Sequence, residues 1–303
     1  MTDAEIVRTG VTNGINMKRR TSNGSDTGHW EIRPERCFLD TAWVANAKGG
    51  ETLPASMSHL SVIWEATIQH VIHLPGLRGN PERTYPATAI GPGYPGTFEK
   101  YTATIIAQWM KRKKKVLSQL SDDLRLLGLT GGVMAIPLNA AQIELVVGRL
   151  PQLAPVRPED RVSVADVGIG VSQTLPVLVG LHAAEPDRLV YLEQPETHLH
   201  PRAQFDLARV LAIAANRGVR VVVETHSSLL LLGVQTLVAE GILTPDKVKL
   251  HWFERGNDGK TTIRPAELDE AGRFGDWPAD FDDVTLKAES RFLDAAEARL
   301  AKK

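Results

Sequence analysis

The sequence predicts an α/β fold with a mostly parallel sheet, and three observations support this prediction. From residue 161 onward, short apolar strands at 162–165, 189–192 and 219–223 alternate with longer helical stretches. The strands are almost continuously apolar, which is typical of parallel strands that helices cover on both faces. Polar residues follow several of these strands directly, and ligands of parallel sheets bind beyond the carboxyl ends of the strands.

Three segments divide the chain in this prediction. Residues 1–64 are polar and turn-rich, and we expect them to be poor in strands apart from short pieces at 29–32 and 37–40. Residues 65–150 contain a loop rich in Gly and Pro, followed by a helical insert. Residues 151–303 contain the predicted sheet.

The helical insert contains the longest predicted helix, at 97–127, with Thr97 as its N-cap and Gly128 as its stop. A basic run at 111–115 is compatible with a phosphate-contacting patch or with a solvated helix face. We favour the solvated face because no aromatic residues interleave with the lysines. One or two strands around a turn are predicted to follow at 133–147.

After the insert, helices are predicted between and after the strands of the sheet. A β-hairpin around an Asn-Asp-Gly turn and a last helix complete the chain. The three helices cover 171–184, 202–216 and 228–240, the hairpin strands cover 248–254 and 260–263, and the last helix lies near 286–300.

The composition favours a soluble globular protein, since 43% of the residues are hydrophobic and 23% are charged. The net charge of −1 creates no global field that would attract nucleic acid or a membrane surface. The charge therefore gives no indication of a nucleic-acid partner. No apolar run approaches the roughly 20 residues of a membrane span. The first residues lack a signal peptide, and the single cysteine excludes an intrachain disulfide, so we expect a cytoplasmic protein.

The strand at 189–192 delivers a carboxylate at its end. Glu193 follows the strand directly, and a carboxylate in this position can hold Mg²⁺ through water, as nucleotide hydrolysis requires. The next residue, Gln194, can position a water molecule but cannot accept its proton at neutral pH. Glu196 lies two residues further along, and it can act as the base if the loop places its carboxylate near that water molecule.

Two histidines lie in the following segment, Thr-His-Leu-His-Pro at 197–201. One alternative is that His198 and His200 bind a metal ion, with a nearby carboxylate or histidine completing the site of a metal-dependent hydrolase. We consider this alternative less favoured, because it leaves the glycine-rich loop upstream without a role.

The glycine-rich loop at 168–173 precedes a predicted helix. Gly168 and Gly170 allow backbone N–H groups to approach an anion, and the helix dipole favours negative charge at that point. Ser172 and Gln173 follow in the first turn of the helix. The same pattern also occurs where a strand enters a tightly packed helix, so the loop alone is weak evidence.

A third motif, Thr-His-Ser-Ser at 225–228, follows the Val-rich strand, and His226 in this position can sense a phosphate by hydrogen bonding. The order and spacing of the three motifs make them stronger evidence together than each motif is alone. There are 21 residues from Ser172 to Glu193 and 33 from Glu193 to His226, and each interval accommodates one strand and one helix.

In this order, the motifs resemble those of ABC-class ATPase heads: the signature loop at 168–173, the Walker B strand and D-loop at 189–201, and the switch histidine. The chain is similar to bacterial predicted AAA-family ATPases that are related to the overcoming-lysogenization-defect nucleases and to SMC-type heads. Further similarity to this group lies at 74–85, its Arg-containing segment, and at 252–255 and 276–283, its C-terminal extension.

The resemblance implies a P-loop-NTPase-like head that binds ATP and Mg²⁺ and acts as a dimeric nucleotide switch in phage defence or DNA metabolism. It implies a homodimer or a P-loop-bearing partner chain. The residues carried over are Glu193 at the metal, Gln194, Glu196 and His226 as catalytic residues, and Gly168, Gly170, Ser172 and Gln173 at the nucleotide of the opposite subunit.

The P-loop pattern Gly-x4-Gly-Lys-Ser/Thr does not occur in the sequence. The nearest string, at 256–261, has its glycines too close together and lies in the predicted hairpin turn. We therefore expect a truncated, split or degenerate head that alone hydrolyses ATP weakly or not at all. The alternative is a non-catalytic regulatory or interaction module on the same scaffold.

Overall fold

The computed structural model describes residues 70–91, 94, 97–151, 156–275 and 280–300, together with the backbone of five strands nearer the N-terminus. The chain forms two compact units, Met1–His70 and Val71–Lys303. Within the described residues, no helix combines the length and the apolar composition that crossing a bilayer requires.

The described strands of the first unit form two antiparallel sheets. Strands β1 (Ile6–Val7) and β2 (Asn16–Met17) form one, and β3 (Gly28–Glu35), β4 (Phe38–Ala45) and β5 (Pro54–Ser56) form the other. The expectation of a strand-poor segment with only short pieces is wrong, since β3 and β4 are eight residues long each. The two strands pair along their full length. Cross-strand pairing of this kind stabilises strands even where the alternation of apolar and polar residues in each sequence is weak.

The second unit alternates strands and helices. In chain order its elements are β6 (Ile72–Leu74), β7 (Tyr85–Pro86), α1 (Thr102–Arg112), α2 (Lys114–Leu126), β8 (Val133–Pro137), β9 (Gln142–Gly148), β10 (Arg161–Ser163), α3 (Ile169–Ala183), β11 (Leu189–Glu193), α4 (Pro201–Asn216), β12 (Arg220–Glu224), α5 (Ser228–Ala239), β13 (Lys249–Arg255), β14 (Thr261–Glu267) and α6 (Asp280–Leu300).

The predicted parallel sheet is present, with the order β12-β11-β6. One of its strands differs from the prediction. The strand predicted at 162–165 is β10, which pairs antiparallel with β9, and β7 and β8 belong to the same second sheet. The third parallel strand is β6, which is only three residues long and gives no periodic signal in the sequence.

Helices cover one face of the parallel sheet. Ile72, Leu74, Val190 and Leu192 point to this face and are fully buried, and α3 contacts both β6 and β11. The alternate residues point the other way, and Val222 remains 49% exposed. The prediction of a sheet covered on both faces is therefore wrong for the described residues. An apolar strand composition does not reveal which of its two faces is covered.

The helical insert is present but divided. A 3₁₀ turn at Phe98–Tyr101 precedes α1, and Lys113, with φ −133° and ψ 54°, separates α1 from α2. The side chain of Thr97 makes no capping hydrogen bond, whereas Gly128 follows the helical segment with φ 67°, a conformation that glycine adopts readily. The basic residues at 111–115 are exposed, as expected for a solvated helix face.

The C-terminal part agrees with the prediction of a hairpin and a helix. Strands β13 and β14 pair in register from Lys249↔Glu267 to Arg255↔Thr261. Helix α6 begins at Asp280, six residues before the predicted start. The segment predicted to resemble a C-terminal extension at 276–283 lies partly outside the described residues.

Candidate functional site

The carboxyl ends of β6, β11 and β12 lie at one edge of the parallel sheet, and a pocket of about 410 Å³ opens there. Each strand contributes residues from its end or from the loop that follows. The pocket is lined by Gly76, Leu77, Arg78, Asn80, Ile169, Gln173, Glu193, Gln194, Thr197, His198 and Glu224.

Glu193 is the acidic residue at the centre of this edge. Its Oε2 accepts a hydrogen bond from the Gly76 N–H at 3.0 Å, and its Oε1 is 2.8 Å from His73 Nε2. The Gly76 N–H lowers the pKa of Glu193 most, and the hydrogen bond from His73 lowers it further. The carboxylate is thus ionised at neutral pH, and its side chain is 30% exposed to solvent.

Arg78 joins the loop after β6 to the loop after β11. Its Nη1 donates to the carbonyls of Pro75 and Glu193, at 3.1 and 3.3 Å, and its Nη2 donates to the Gln194 carbonyl at 3.3 Å. Burial lowers the pKa of Arg78, and the nearby carboxylates of Glu99, Glu196 and Glu193 oppose that shift. The sequence assigned no role to Arg78, although its surrounding segment was recognised as Arg-containing.

The backbone after β11 turns through two unusual conformations. Gln194 has φ 43° and His198 has φ 68°, and residues other than glycine occupy this region of φ at an energetic cost. The turn is held because the Gln194 N–H donates to the Glu224 carbonyl and the Thr197 N–H donates to the Gln194 carbonyl. This conformation brings both Gln194 and His198 to the wall of the pocket.

Glu196 links this turn to the segment after β12. The side chain is buried, and its Oε1 accepts hydrogen bonds from Thr225 Oγ1 at 2.7 Å and from the His226 N–H at 3.0 Å. Among the residues that the structure describes, its buried Oε2 has no hydrogen-bond partner. Glu196 therefore holds the backbone of His226, while His226 itself is exposed and lies outside the pocket lining.

The glycine-rich loop is divided between two surfaces. Gln173 is buried, donates from Nε2 to the Gly79 carbonyl at 2.9 Å and lines the Glu193 pocket. Gly168 and Gly170 line a different pocket of about 370 Å³. Ser172 lies between Gly170 and Gln173 in sequence, and its hydroxyl donates to the Ile169 carbonyl at 2.9 Å. The loop thus presents its glycines away from Glu193 of the same chain.

The two histidines after β11 have separate environments. His200 Nδ1 accepts a hydrogen bond from the Arg202 N–H at 3.3 Å and so caps α4. Among the residues that the structure describes, no group of three His, Cys, Asp or Glu side chains could hold a metal ion. The metal-dependent hydrolase alternative gains no support from this geometry.

Comparison with known families gives one match. Residues 148–232 match the model of the family described as "AAA domain, putative AbiEii toxin, Type IV TA system". This segment is similar to an AAA domain. The similarity agrees with the predicted resemblance to AAA/ABC-class ATPases for the part of the chain that contains Gly168, Glu193 and His226. No curated protein matches the chain.

Solved structures of SMC head domains are similar to the chain at low sequence identity. The head bound to the C-winged helix domain of ScpA is 13% identical, with a TM-score of 0.43 over 80% of this chain and 74% of that one. The SMC head from Thermotoga maritima is 11% identical, with a TM-score of 0.37 over 80% and 75%. A structure from work on ATP-driven dimerization of SMC ATPases is 12% identical, with a TM-score of 0.39 over 61% and 96%.

Proposed function

We propose that this chain contributes the Walker B, D-loop, signature and switch-histidine elements of an ABC-type ATPase head that binds Mg²⁺–ATP and acts as a dimeric switch. The observation that carries the proposal is the ionised carboxylate of Glu193 in a pocket at the carboxyl ends of parallel strands. Through Glu196, the backbone of His226 is held at the same edge of the sheet.

The residues at the carboxyl ends of the parallel strands fit a magnesium ion that they and the phosphates of ATP bind jointly. Mg²⁺ retains several waters and is usually bound by one or two carboxylates plus phosphate oxygens. Glu193 accepts two hydrogen bonds in the structure, which leaves lone pairs for a further contact. Glu224 pairs in register with Glu193 and lines the same pocket. Bound Mg²⁺–ATP supplies the phosphoryl group that is transferred to water.

The three proposed catalytic residues have different roles in this proposal. Gln194 lines the pocket and orients the attacking water with its amide. Glu196 holds the backbone of His226 and is the carboxylate available as a base next to Gln194 in the chain. His226 contacts the γ-phosphate and does not hold the metal. Because Glu196 already binds Thr225 and His226, we expect slow proton abstraction.

The dimeric switch is supported by the two separate pockets. Since Gly168 and Gly170 open onto a pocket that Glu193 does not line, the signature loop of one subunit serves the nucleotide on another. We propose a homodimer, or a complex with a P-loop-bearing partner chain, that acts in phage defence or DNA metabolism in the cytoplasm.

A non-catalytic regulatory or interaction module is the second candidate function. The observations that favour it are Gln194 in the position of a catalytic glutamate and the lack of a P-loop string in the sequence. Binding of Mg²⁺–ATP separates the two candidates, because a purely structural module has no need of it.

The test supplies a P-loop segment fused to the chain and measures nucleotide affinity and turnover. We expect Glu193→Gln to weaken Mg²⁺-dependent binding. We expect His226→Ala to preserve binding and to slow turnover by about 10²–10³-fold, the usual effect of removing one preorganised contact to the transition state. His251→Ala, at an exposed hairpin position, is the matched control. Unchanged turnover in His226→Ala would refute the assignment.

A further inference from the structure

A second pocket shares Arg78 with the Glu193 pocket. It has a volume of about 290 Å³ and is lined by residues of the loop after β6, the 3₁₀ turn before α1, β9 and α3. Part of its wall is apolar, because the almost fully buried side chains of Leu145, Val164 and Leu175 line it. We name it the Thr102 pocket, after a lining residue that is only 2% exposed.

Buried polar atoms without partners are concentrated at this pocket. The residues that the structure describes contain seven such side-chain atoms, and three of them belong to its lining residues: Arg78 Nε, Glu99 Oε2 and Thr102 Oγ1. A buried polar group without a hydrogen bond is costly, so native proteins keep few of them. Three at one pocket therefore indicate groups that a bound molecule satisfies.

Water alone suits this pocket poorly. A buried water molecule typically makes two to four hydrogen bonds, and the wall formed by Leu145, Val164 and Leu175 offers it no polar side chain. Sites for small organic molecules combine apolar walls with a few polar groups that orient the ligand. The Thr102 pocket has this composition, which favours a ligand with an apolar ring.

The charges of the pocket favour a neutral ligand. Two cationic residues, Arg78 and Lys100, and two acidic residues, Glu82 and Glu99, line it, so neither an anion nor a cation is favoured. Glu99 is also the carboxylate that most strongly opposes the lowered pKa of Arg78, so these two opposite charges lie near each other.

The hydrogen-bonding groups narrow the ligand further. Arg78 Nε only donates, a carboxylate oxygen of Glu99 accepts, and the hydroxyl of Thr102 does either. The matching ligand therefore carries an acceptor and a donor close together. A lactam has this pattern, since its C=O and N–H lie on neighbouring atoms of one ring. The volume of about 290 Å³ equals about ten water molecules at about 30 Å³ each, which is room for one or two fused rings.

We propose that the Thr102 pocket binds a small neutral lactam. The C=O of the ligand accepts a hydrogen bond from Arg78 Nε, its N–H donates to Glu99, and its ring packs against the apolar wall. Thr102 Oγ1 makes a further hydrogen bond to the ligand. Because this hydroxyl has no partner among the described residues, its rotation toward the ligand breaks no hydrogen bond with them.

The ligand acts as an effector of the nucleotide site, and this part of the inference rests on the proposed function. The Nη atoms of Arg78 donate to the carbonyls of Glu193 and Gln194, and Ser172 of the glycine-rich loop also lines the Thr102 pocket. A ligand on Arg78 Nε therefore restrains the guanidinium that holds the loop after β11. We expect it to tighten Mg²⁺–ATP binding, and we expect Mg²⁺–ATP to tighten ligand binding by the same factor.

The binding test titrates isoindolinone, a bicyclic lactam with a single N–H, into the full chain by isothermal calorimetry without nucleotide. We expect saturable binding. The control compound is N-methylisoindolinone, which keeps the C=O but has no N–H, and it should bind about tenfold more weakly or worse because Glu99 loses its donor. No saturable binding of isoindolinone would mean that only water fills the pocket, and equal binding of both compounds would exclude the lactam contact; either result overturns the proposal.

Two matched variants locate the site. Thr102→Val should weaken isoindolinone binding by about two- to tenfold, the effect of losing one neutral hydrogen bond. Thr174→Val should leave binding unchanged, because the Thr174 hydroxyl is also buried without a partner among the described residues but does not line the pocket. Neither substitution removes a hydrogen bond to a described residue, so both variants should keep the thermal midpoint of the parent. Equal affinities of the two variants for isoindolinone would overturn the assignment of the site.

Calorimetry on the chain with a fused P-loop segment keeps lactam binding separate from the proposed function. If isoindolinone binds as predicted but the fusion does not bind Mg²⁺–ATP, the lactam site stands and the proposed ATPase function fails. If the fusion binds Mg²⁺–ATP with an affinity that isoindolinone does not change, the ATPase function stands and the effector role is wrong.

Discussion

Arg78 is the residue that fixes the two loops of the site relative to each other. Its guanidinium donates to three carbonyls, two of which belong to Glu193 and Gln194, more than a hundred positions away in sequence. It is 8% exposed, so its removal takes a buried charged donor away from three part-buried carbonyls. The position of Glu193 in the pocket therefore depends on a cation in the loop after β6.

We predict that Arg78→Ala lowers the free energy of unfolding by about 2–3 kcal/mol, the scale of losing hydrogen bonds that involve a buried charged group. Arg83→Ala is the matched control. Arg83 forms an ion pair with Asp166 at 2.7 Å, but its side chain is 71% exposed, and such pairs contribute about 0–1 kcal/mol. Urea denaturation of both variants checks the prediction, and equal losses would contradict it.

Sequence reasoning named residues that the fold brings to one pocket, but it did not predict the contacts that hold them there. Glu193, Gln194 and Gln173 all line one pocket, and each belongs to a local motif that a short stretch of sequence displays. Arg78 and Gly76 contribute through hydrogen bonds that span more than a hundred positions. No local periodicity encodes such contacts, so their roles became apparent only in the fold.

At the scale of elements, the glycine-rich loop and the turn after β11 pack closely against each other. A Cβ on Gly170 would lie 2.9 Å from the His198 carbonyl oxygen, which is closer than real Cβ atoms approach. At Gly168, no atom lies within 4 Å of the corresponding position. The start of α3 is thus fitted to the turn that contains Gln194 and His198.

We predict that Gly170→Ala destabilises the chain by about 1–3 kcal/mol, because the backbone oxygen of His198 must move to admit the methyl group. Gly168→Ala is the control. It adds a methyl group in open space at the N-cap of α3 and should cost less than about 1 kcal/mol. Thermal unfolding followed by circular dichroism measures both, and a Gly170→Ala variant as stable as the control would contradict the close packing.

The sequence predicted long or strongly patterned elements well and short elements poorly. The helices α3, α4 and α5 lie within two residues of their predicted bounds, and the β13–β14 hairpin was expected around its turn. Strand β6 has three residues and was not predicted as part of the parallel sheet, and β10 was assigned to the wrong sheet. The sheet to which each of these strands belongs depends on the strand it pairs with, and the residue pattern of a single strand does not specify that partner.

At the scale of the whole molecule, the sheet edge and the two glycines of the glycine-rich loop line two different pockets. Glu193 lines one, and Gly168 and Gly170 line the other. In the proposed dimeric switch, two subunits bring opposite pockets together around a nucleotide. The sequence predicted the α/β class and the order of the motifs. It did not predict that one face of the sheet is exposed in the part of the chain that the structure describes, because burial depends on what covers the strands.

The most direct test of the dimeric switch is light scattering of the chain with a fused P-loop segment, with and without ATP. We predict that ATP doubles the scattering mass, that Ser172→Arg abolishes this change, and that Thr261→Arg, at an exposed hairpin position, preserves it. A signature loop can reach only the nucleotide of another subunit, so an arginine there blocks association. ATP-driven dimerisation that persists in Ser172→Arg would contradict the account.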